Sequence, residues 1–288
     1  MSRHPVEDRI AAVTGQPVKA LRALAGGCVG DVLRADLSDG SAVVVKLADD
    51  DGGGLDIEGW MLRYLAEQSS LPVPRVLLAE PGFLLMTWVA CSGSGAVTSV
   101  CQQQAAELIA ALHGITAPTF GLERDTLIGG LPQPNPPSDR WLPFFRDHRL
   151  LAMAAEAHRA GRLPAACRSR VETLAGRLDR WLLEPERPSL IHGDLWTGNV
   201  LCGEHGIAAF VDPAIYYADP EIELAFTTLF GTFGDAFFRR YAELRPLAPG
   251  FMEERRDLYN LYPLLVHVRL FGGSYVGSVE RILDRYLG

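Results

Sequence analysis

The order of apolar and polar residues changes character along this chain. Up to about residue 88, short apolar runs such as residues 42–45 alternate with polar turns and predict strands, and one segment after Glu58 repeats its apolar residues at helical spacing. Beyond it, apolar positions recur every three or four residues, which predicts helices interrupted by a single hairpin. The pattern predicts an α+β protein with a lobe of strands and one helix, residues 1–88, and a larger helical lobe, residues 89–288.

The hairpin segment contains three polar residues that suggest a chemistry. Residues 190–212 read LIHGDLWTGNVLCGEHGIAAFVD, in which Asp194 precedes Asn199 by five positions and Asp212 ends an apolar run. Protein kinases place their proton-accepting aspartate and metal-binding asparagine at the same interval. Magnesium prefers oxygen ligands. The pattern predicts that Asp194 orients a hydroxyl nucleophile and that Asn199 and Asp212 bind Mg²⁺, although each alone could be a turn cap, a strand start or a surface carboxylate.

A lysine and an acid upstream fit the same chemistry. Lys46 lies near the end of a β-branched strand, similar to the kinase strand whose lysine contacts the nucleotide phosphates. Glu58 follows twelve residues later at the start of the predicted helix, from which it can form an ion pair with Lys46. The alternatives are a strand-end lysine that extends to solvent and an acid placed at a helix start by the helix dipole.

A glycine-containing turn precedes the strand before Lys46. Residues 25–31 read AGGCVGD, and the backbone at Gly26, Gly27 and Cys28 could cover the phosphates because glycine permits close approach to an anion. The turn matches no strict phosphate-loop motif and could be an ordinary hairpin turn. Backbone amides around Cys28 could lower its thiol pKa and make the thiol easier to oxidise. The protein is therefore expected to be a monomer, or a homodimer that forms through a Cys28 disulfide under oxidising conditions. The alternative is that Cys28 is a small buried side chain.

Composition narrows the possible partners and location. The formal net charge of −8 argues against a broad nucleic-acid surface, and Asp219, Glu221 and Glu223 could favour cationic amine substrates unless they are solvated helix-start charges. Five scattered cysteines indicate reduced thiols. Neither a secretory signal nor a run long enough for a membrane span is evident, so no membrane association and a cytoplasmic location are predicted.

Several stretches identify a family. Trp196 lies within HGDLWTGN, residues 212–217 read DPAIYY in place of a DFG triplet, and residues 221–231 read EIELAFTTLFG. With FGLERDTLIG, the stretch of residues 132–145 and the tail LYNLYPLLVHVRLFGGSY, these segments span nearly the whole chain. The sequence resembles the fructosamine kinase (ketosamine 3-kinase) family, a branch of the protein-kinase-like fold that also contains aminoglycoside phosphotransferases and choline kinases.

The resemblance implies a bilobal protein-kinase-like fold and an ATP- and Mg²⁺-dependent kinase. Its small N-terminal lobe would hold an antiparallel sheet. The implied reaction phosphorylates a sugar hydroxyl, O3, of a fructosamine or ribulosamine adduct and leads to deglycation. By position, the backbone of Thr87, Trp88 and Val89 would bind the adenine.

Three side chains are implied as substrate contacts. Trp196 and His267 would face the sugar-derived substrate, and Trp141 is a weaker candidate whose alternative is a core anchor. Val266 and Arg269 depart from the family pattern on the helix that carries His267, which leaves the acceptor open.

Other functions fit the same residues. A kinase of the same fold could act on an aminoglycoside or an amino alcohol, and a nucleotide-binding module without catalysis would share part of the site. The sequence also leaves open whether the substrate is a free glycated amino acid or a glycated protein lysine, and which ketose it carries.

Overall fold

The chain forms two compact units. One comprises Met1–Ala96 and Gly198–Pro213, and the other comprises Val97–Thr197 and Ala214–Gly288. The computed structural model describes residues 3–24, 31–48, 53–91 and 97–288. The hairpin that follows Asp194 therefore groups with the first unit, and the lobe boundary after residue 88 stays a prediction.

The first unit is built on a five-stranded antiparallel sheet of order β1-β2-β3-β5-β4. Its strands are β1 Val18–Ala23, β2 Asp31–Leu37, β3 Ala42–Leu47, β4 Val76–Glu80 and β5 Phe83–Thr87. The described residues add two helices, α1 Arg3–Thr14 and α2 Leu55–Gln68. The α+β prediction is confirmed, but the prediction of one helix in this region is wrong. Only Val6 and Ile10 of α1 belong to the core, so its apolar stripe is too narrow to detect by periodicity.

Alternation along β3 and β5 separates two cores. Val43 and Val45 point to one face of the sheet and pack with Val6 and Ile10 of α1. Leu84 and Met86, with Val44, pack on the other face with apolar residues of α2. Because side chains of a strand alternate, Lys46 shares the α2 face with Val44.

A second strand ladder of the first unit lies between the two predicted magnesium ligands, Asn199 and Asp212. Strands β9 Val200–Gly203 and β10 Gly206–Phe210 form an antiparallel hairpin in which Val200 pairs with Phe210. The N–H of Phe210 donates to the carbonyl of Pro72 at 2.8 Å, which ties the hairpin to the segment before β4.

The second unit is mostly helical. Its α-helices are α3 Ser99–Leu112, α4 Trp141–Phe145, α5 Ala152–Arg159, α6 Ala165–Ala175, α7 Pro220–Leu229, α8 Asp235–Leu244, α9 Arg256–Phe271 and α10 Val276–Leu287. Single π-helical turns join α4 to α5 and lead into α9. None of the helices in the described part of the chain is long and apolar enough to cross a membrane.

Two short ladders interrupt these helices. Strands β6 Thr126–Ile128 and β7 Leu131–Gln133 form a hairpin, and β8 Ser189–Ile191 pairs with β11 Tyr216–Ala218. The prediction of a single interrupting hairpin is therefore wrong. Three-residue strands are too short for alternation to distinguish them from loops.

Candidate active site

Lys46 is the centre of an ionic group in the first unit. Its Nζ donates to Glu58 Oε1 at 2.7 Å and to Asp212 Oδ1 at 2.5 Å, and the residue is only 8% exposed. Burial disfavours the ammonium charge, but the two carboxylates outweigh this effect and raise the pKa of Lys46. The predicted ion pair between Lys46 and Glu58 is present, whereas its role with phosphates stays a prediction.

Two local features bring Glu58 to the lysine. Gly54 takes the left-handed conformation, with φ 65°, just before α2, so that Glu58 falls in the first helical turn, where the helix dipole favours an acid. Burial raises the pKa of Glu58, the Asp212 carboxylate adds to that increase, and Lys46 opposes it. Two carboxylates thus share one ammonium group. When all three side chains are ionised, the cluster carries a net negative charge, which attracts a cation.

Asn199 and Asp212 flank the same end of the β9–β10 hairpin. The N–H of Val211 donates to the carbonyl of Asn199 at 3.1 Å, which joins the two flanks. Asp212 has φ 54° and is the one non-glycine residue with a positive φ in the part of the chain that the structure describes. Such strain is found at functional sites, and aspartate tolerates it better than most residues. An amide and a carboxylate oxygen at one hairpin end fit the oxygen ligands that magnesium prefers.

The segment predicted to bind adenine follows β5. The N–H of Thr87 donates to the carbonyl of Arg75 at 2.9 Å, and the N–H of Trp88 donates to that of Ala42 at 3.3 Å. These two N–H groups are used within the first unit, so the predicted contact with adenine would involve the remaining backbone groups of Thr87, Trp88 and Val89.

The predicted phosphate turn at Gly26, Gly27 and Cys28 lies outside the described residues. The four described cysteines are free thiols.

In the second unit, Asp194 follows a tightly held turn. Gly193 has φ 86°, and a Cβ placed there would lie 2.1 Å from the carbonyl oxygen of Ala214. Glu223, in the first turn of α7, accepts the backbone N–H of His192 at 3.2 Å and that of Gly193 at 2.6 Å. The N–H of Asp194 donates to Nδ1 of His192 at 3.4 Å. The turn is therefore fixed on both sides of Gly193.

We expect Gly193→Ala to destabilise this unit strongly and to abolish activity. A methyl group would meet the backbone of Ala214, which lies two residues before β11 and is held by its N–H, a donor to the carbonyl of His192 at 2.8 Å. Gly161→Ala is the matched control, because Gly161 also has a positive φ, 70°, but a Cβ added there would meet nothing within 4 Å. The control should lose only about 1–2 kcal/mol of unfolding free energy, from backbone strain. Equal thermal shifts for the two variants would contradict the steric argument.

The acidic residues after Asp212 have structural partners. Asp219 caps α7 by accepting the N–H of Glu221 and also accepts the hydroxyl of Tyr259 at 2.6 Å. Glu221 forms a two-bond ion pair with Arg255, and Glu223 is buried against the His192–Gly193 backbone. Burial of Asp219 and Glu223 contradicts the alternative that these two are solvated helix-start charges, and the attraction of a cationic substrate stays a prediction. Sequence reasoning missed the role of Glu223 because nothing local reveals which backbone groups a buried acid will meet.

The three predicted substrate residues differ in exposure. Trp196 is half-buried just after Asp194. Trp141 is completely buried, donates from its indole N–H to Tyr259 at 3.0 Å and stacks on Phe145. This burial leaves no surface for a substrate and favours the core-anchor interpretation of Trp141.

His267 is half-buried on α9 within a cluster of aromatic rings. Its Nδ1 donates to the carbonyl of Pro263 at 2.7 Å, so the tautomer leaves Nε2 as an acceptor. Burial lowers the pKa of His267, which favours the neutral ring. The rings of Phe230 and Tyr275 each lie 4.9 Å from it, centroid to centroid.

Comparison with known proteins identifies the chain. The fructosamine kinase family model matches residues 3–288. A Synechocystis protein described as a probable ketoamine kinase is 36% identical over 294 residues, which cover 98% of this chain and 96% of the relative. A chloroplastic protein-ribulosamine 3-kinase of Arabidopsis thaliana is 28% identical over 296 residues, which cover 100% of this chain and 89% of the relative.

Solved structures agree at the level of the fold. The crystal structure of a candidate fructosamine-3-kinase from Thermobifida fusca has a TM-score of 0.87 and 33% identity, covering 99% of this chain and 100% of that one. The crystal structure of an aminoglycoside phosphotransferase has a TM-score of 0.64 and 19% identity, covering 98% of this chain and 99% of that one. At this low identity, the similarity shows the fold alone.

A chain with this fold and these relatives is a phosphotransferase of the protein-kinase-like class. The family model spans almost its full length, and the similarity to ketoamine kinases extends equally far. It belongs to the fructosamine kinase family. The predicted family, fold class and phosphotransferase activity are confirmed.

Proposed function

We propose that this enzyme transfers the γ-phosphate of ATP to O3 of a fructosamine or ribulosamine adduct. The resulting 3-phosphate ester loses inorganic phosphate by β-elimination, and water then hydrolyses the remaining imine, which releases the dehydrated sugar and restores the amine. The names of the relatives support a ketoamine acceptor, since one is described as a ketoamine kinase and another as a protein-ribulosamine 3-kinase. The site observation that supports the proposal is the buried Lys46, held by Glu58 and Asp212.

Each residue has a proposed role in that reaction. Asp194 accepts the proton of the attacking hydroxyl as the new oxygen–phosphorus bond forms and the bond to ADP breaks. Lys46, oriented by Glu58, contacts the phosphates of ATP. Asn199 and Asp212 would hold Mg²⁺, which neutralises charge on the phosphates when bound. Backbone groups of residues 87–89 would bind the adenine.

Substrate contacts are proposed for Trp196 and His267. A half-buried indole two residues after Asp194 offers an apolar face to the C–H groups of a sugar and a cation-π surface to the amine of a ketoamine. A neutral His267 can accept a hydrogen bond at Nε2 without repelling that amine. The acceptor is therefore proposed to be a small-molecule ketoamine or a glycated lysine.

Acceptor profiling tests the proposal directly. ADP release would be measured with ATP and Mg²⁺ in the presence of fructose-lysine, ribulose-lysine, glycated protein, an aminoglycoside and an amino alcohol. We expect turnover with at least one ketoamine and none with the last two compounds. Release of the free amine from that ketoamine, followed by chromatography, tests deglycation.

The position of transfer needs its own substrate. The 3-deoxy analogue of the best ketoamine should bind without being phosphorylated, whereas the 4-deoxy analogue should remain an acceptor. Phosphorylation of the 3-deoxy compound, or turnover only with the aminoglycoside, would refute transfer to O3 of a ketoamine.

A further inference from the structure

The sheet face that carries Lys46 is covered unevenly by α2. The strand register places Arg34 of β2 beside Val44 of β3, and Val44 beside Met86 of β5, so these three side chains form one row across that face. Helix α2 covers the β5 end of the row, where Met86 is only 4% exposed. Val44 and Arg34 are half-buried. The β2 side of this face therefore retains surface that a ligand can contact.

Two partners fix the position of Arg34 on this face. Its Nε donates to Oδ1 of Asp36 at 2.8 Å, and its guanidinium carbon lies over the Trp88 ring, 4.4 Å from the ring centroid. Asp36 follows two positions later on β2, so it points to the same face. The ion pair and the aromatic ring together orient the plane of the guanidinium. The Arg34 side chain is still 33% exposed.

The row of Arg34 lies between the two ends of the proposed nucleotide site. The phosphates are assigned to Lys46, and Val44 precedes Lys46 by two positions on β3. The adenine is assigned to residues 87–89, and the N–H of Trp88 donates to the carbonyl of Ala42, which precedes Val44 by two positions. A nucleotide that contacts both ends must therefore pass over this row. Because the guanidinium is bent toward Trp88, it lies at the base end of the site.

We propose that Arg34 is a base-stacking residue whose guanidinium plane packs against the purine of ATP and helps to select the nucleotide. The proposal rests on the proposed function, which assigns adenine to residues 87–89. A guanidinium is planar, is weakly hydrated for a cation and stacks on aromatic systems. One of its faces lies on Trp88, and the other face takes the base. Because the charge of Arg34 is already paired with Asp36, its contribution comes from stacking rather than from attraction to the phosphates.

Removal of the guanidinium should weaken nucleotide binding without slowing phosphoryl transfer. We expect Arg34→Ala to raise the KM for ATP about fivefold to thirtyfold, a loss typical of one stacked base, while kcat and the KM for the ketoamine stay near those of the wild type. Arg34→Lys should show nearly the same loss, because an ammonium group keeps the charge but has no plane to stack. A wild-type KM in Arg34→Lys would show that the charge alone matters and would overturn the proposal.

Arg22→Ala is the matched control. Arg22 of β1 pairs with the same Asp36 carboxylate at 3.1 Å, from a side chain that is 69% exposed, so the variant removes the same charge from the same partner. Its KM for ATP should change by less than about twofold, because exposed ion pairs contribute little. A KM increase equal to that of Arg34→Ala would also overturn the proposal.

The identity of the base provides a second readout. A purine offers a larger face for stacking than a pyrimidine, so Arg34 should favour ATP over UTP. The ratio of kcat/KM for ATP to kcat/KM for UTP should therefore fall in Arg34→Ala and stay unchanged in Arg22→Ala. An unchanged ratio in Arg34→Ala would show that this residue takes no part in selecting the base.

Binding measured without an acceptor separates this proposal from the proposed function. ATP, adenosine and tripolyphosphate would each be titrated by calorimetry into the wild type and Arg34→Ala. Stacking predicts weaker binding of ATP and adenosine in the variant and unchanged binding of tripolyphosphate. Equal ATP affinity in the two proteins would overturn the role of Arg34 and leave the proposed kinase reaction intact. A wild type that binds no ATP would overturn both.

Discussion

Asp194→Asn should lower kcat by about a hundredfold or more, the usual loss when a general base is removed. Asparagine has the shape of aspartate but cannot accept the hydroxyl proton. The turn around it is held by backbone bonds to Glu223 and by the left-handed Gly193, none of which involves the Asp194 side chain. The substitution should therefore leave the fold unchanged and affect only the proton transfer.

Two measurements isolate that effect. ATP affinity, measured by calorimetry with the Mg²⁺ complex, should match that of the wild type, because the proposed phosphate and metal contacts come from other residues. Thermal unfolding should also match. A parallel loss of ATP affinity and turnover would assign Asp194 to nucleotide binding instead, and full turnover would remove it from the mechanism.

Asp212→Asn should lower kcat/KM for ATP by about a hundredfold to a thousandfold, a loss typical of removing a preorganised electrostatic contact. Asp212 contributes one of the two negative charges that surround Lys46, so the substitution leaves Lys46 and Glu58 as a neutral pair. The attraction for Mg²⁺ falls accordingly. Asparagine also tolerates the left-handed backbone conformation at this position, φ 54°. The substitution therefore adds little backbone strain, whereas alanine would add strain and lower stability as well.

The metal dependence of the rate is the informative measurement. The Mg²⁺ concentration for half-maximal activity should rise in Asp212→Asn, while binding of metal-free ATP should not weaken, because a negative charge near the phosphates has been removed. Glu80→Gln is the control, since Glu80 belongs to the first unit and pairs with Arg9 at the surface, where an ion pair contributes little. An unchanged Mg²⁺ titration in Asp212→Asn would exclude this residue as a ligand.

Much of the first unit was predictable because its information is local. The strand that ends near Lys46 and the helix that begins near Glu58 follow from apolar spacing, and their ion pair is predicted from the similarity of that strand to the kinase strand and from the position of Glu58 at the helix start. Helix α1 was missed because only two of its residues face the core. The link from Lys46 to Asp212 spans 166 positions, and no local pattern indicates that the two side chains meet.

The sequence by itself determined the α+β class and the family, and it predicts Asp194, Asn199 and Asp212 as the residues of phosphoryl transfer. These depend on residue types at short, regular intervals, which fix local backbone geometry and chemistry. Only the tertiary structure decided that Trp141 is a core side chain, that Glu223 accepts backbone N–H groups of the turn before Asp194, and that His113 lies within hydrogen-bonding distance of the Glu223 carboxylate. Each of these outcomes depends on how distant helices pack, and a buried polar group takes its role from the partners that packing supplies.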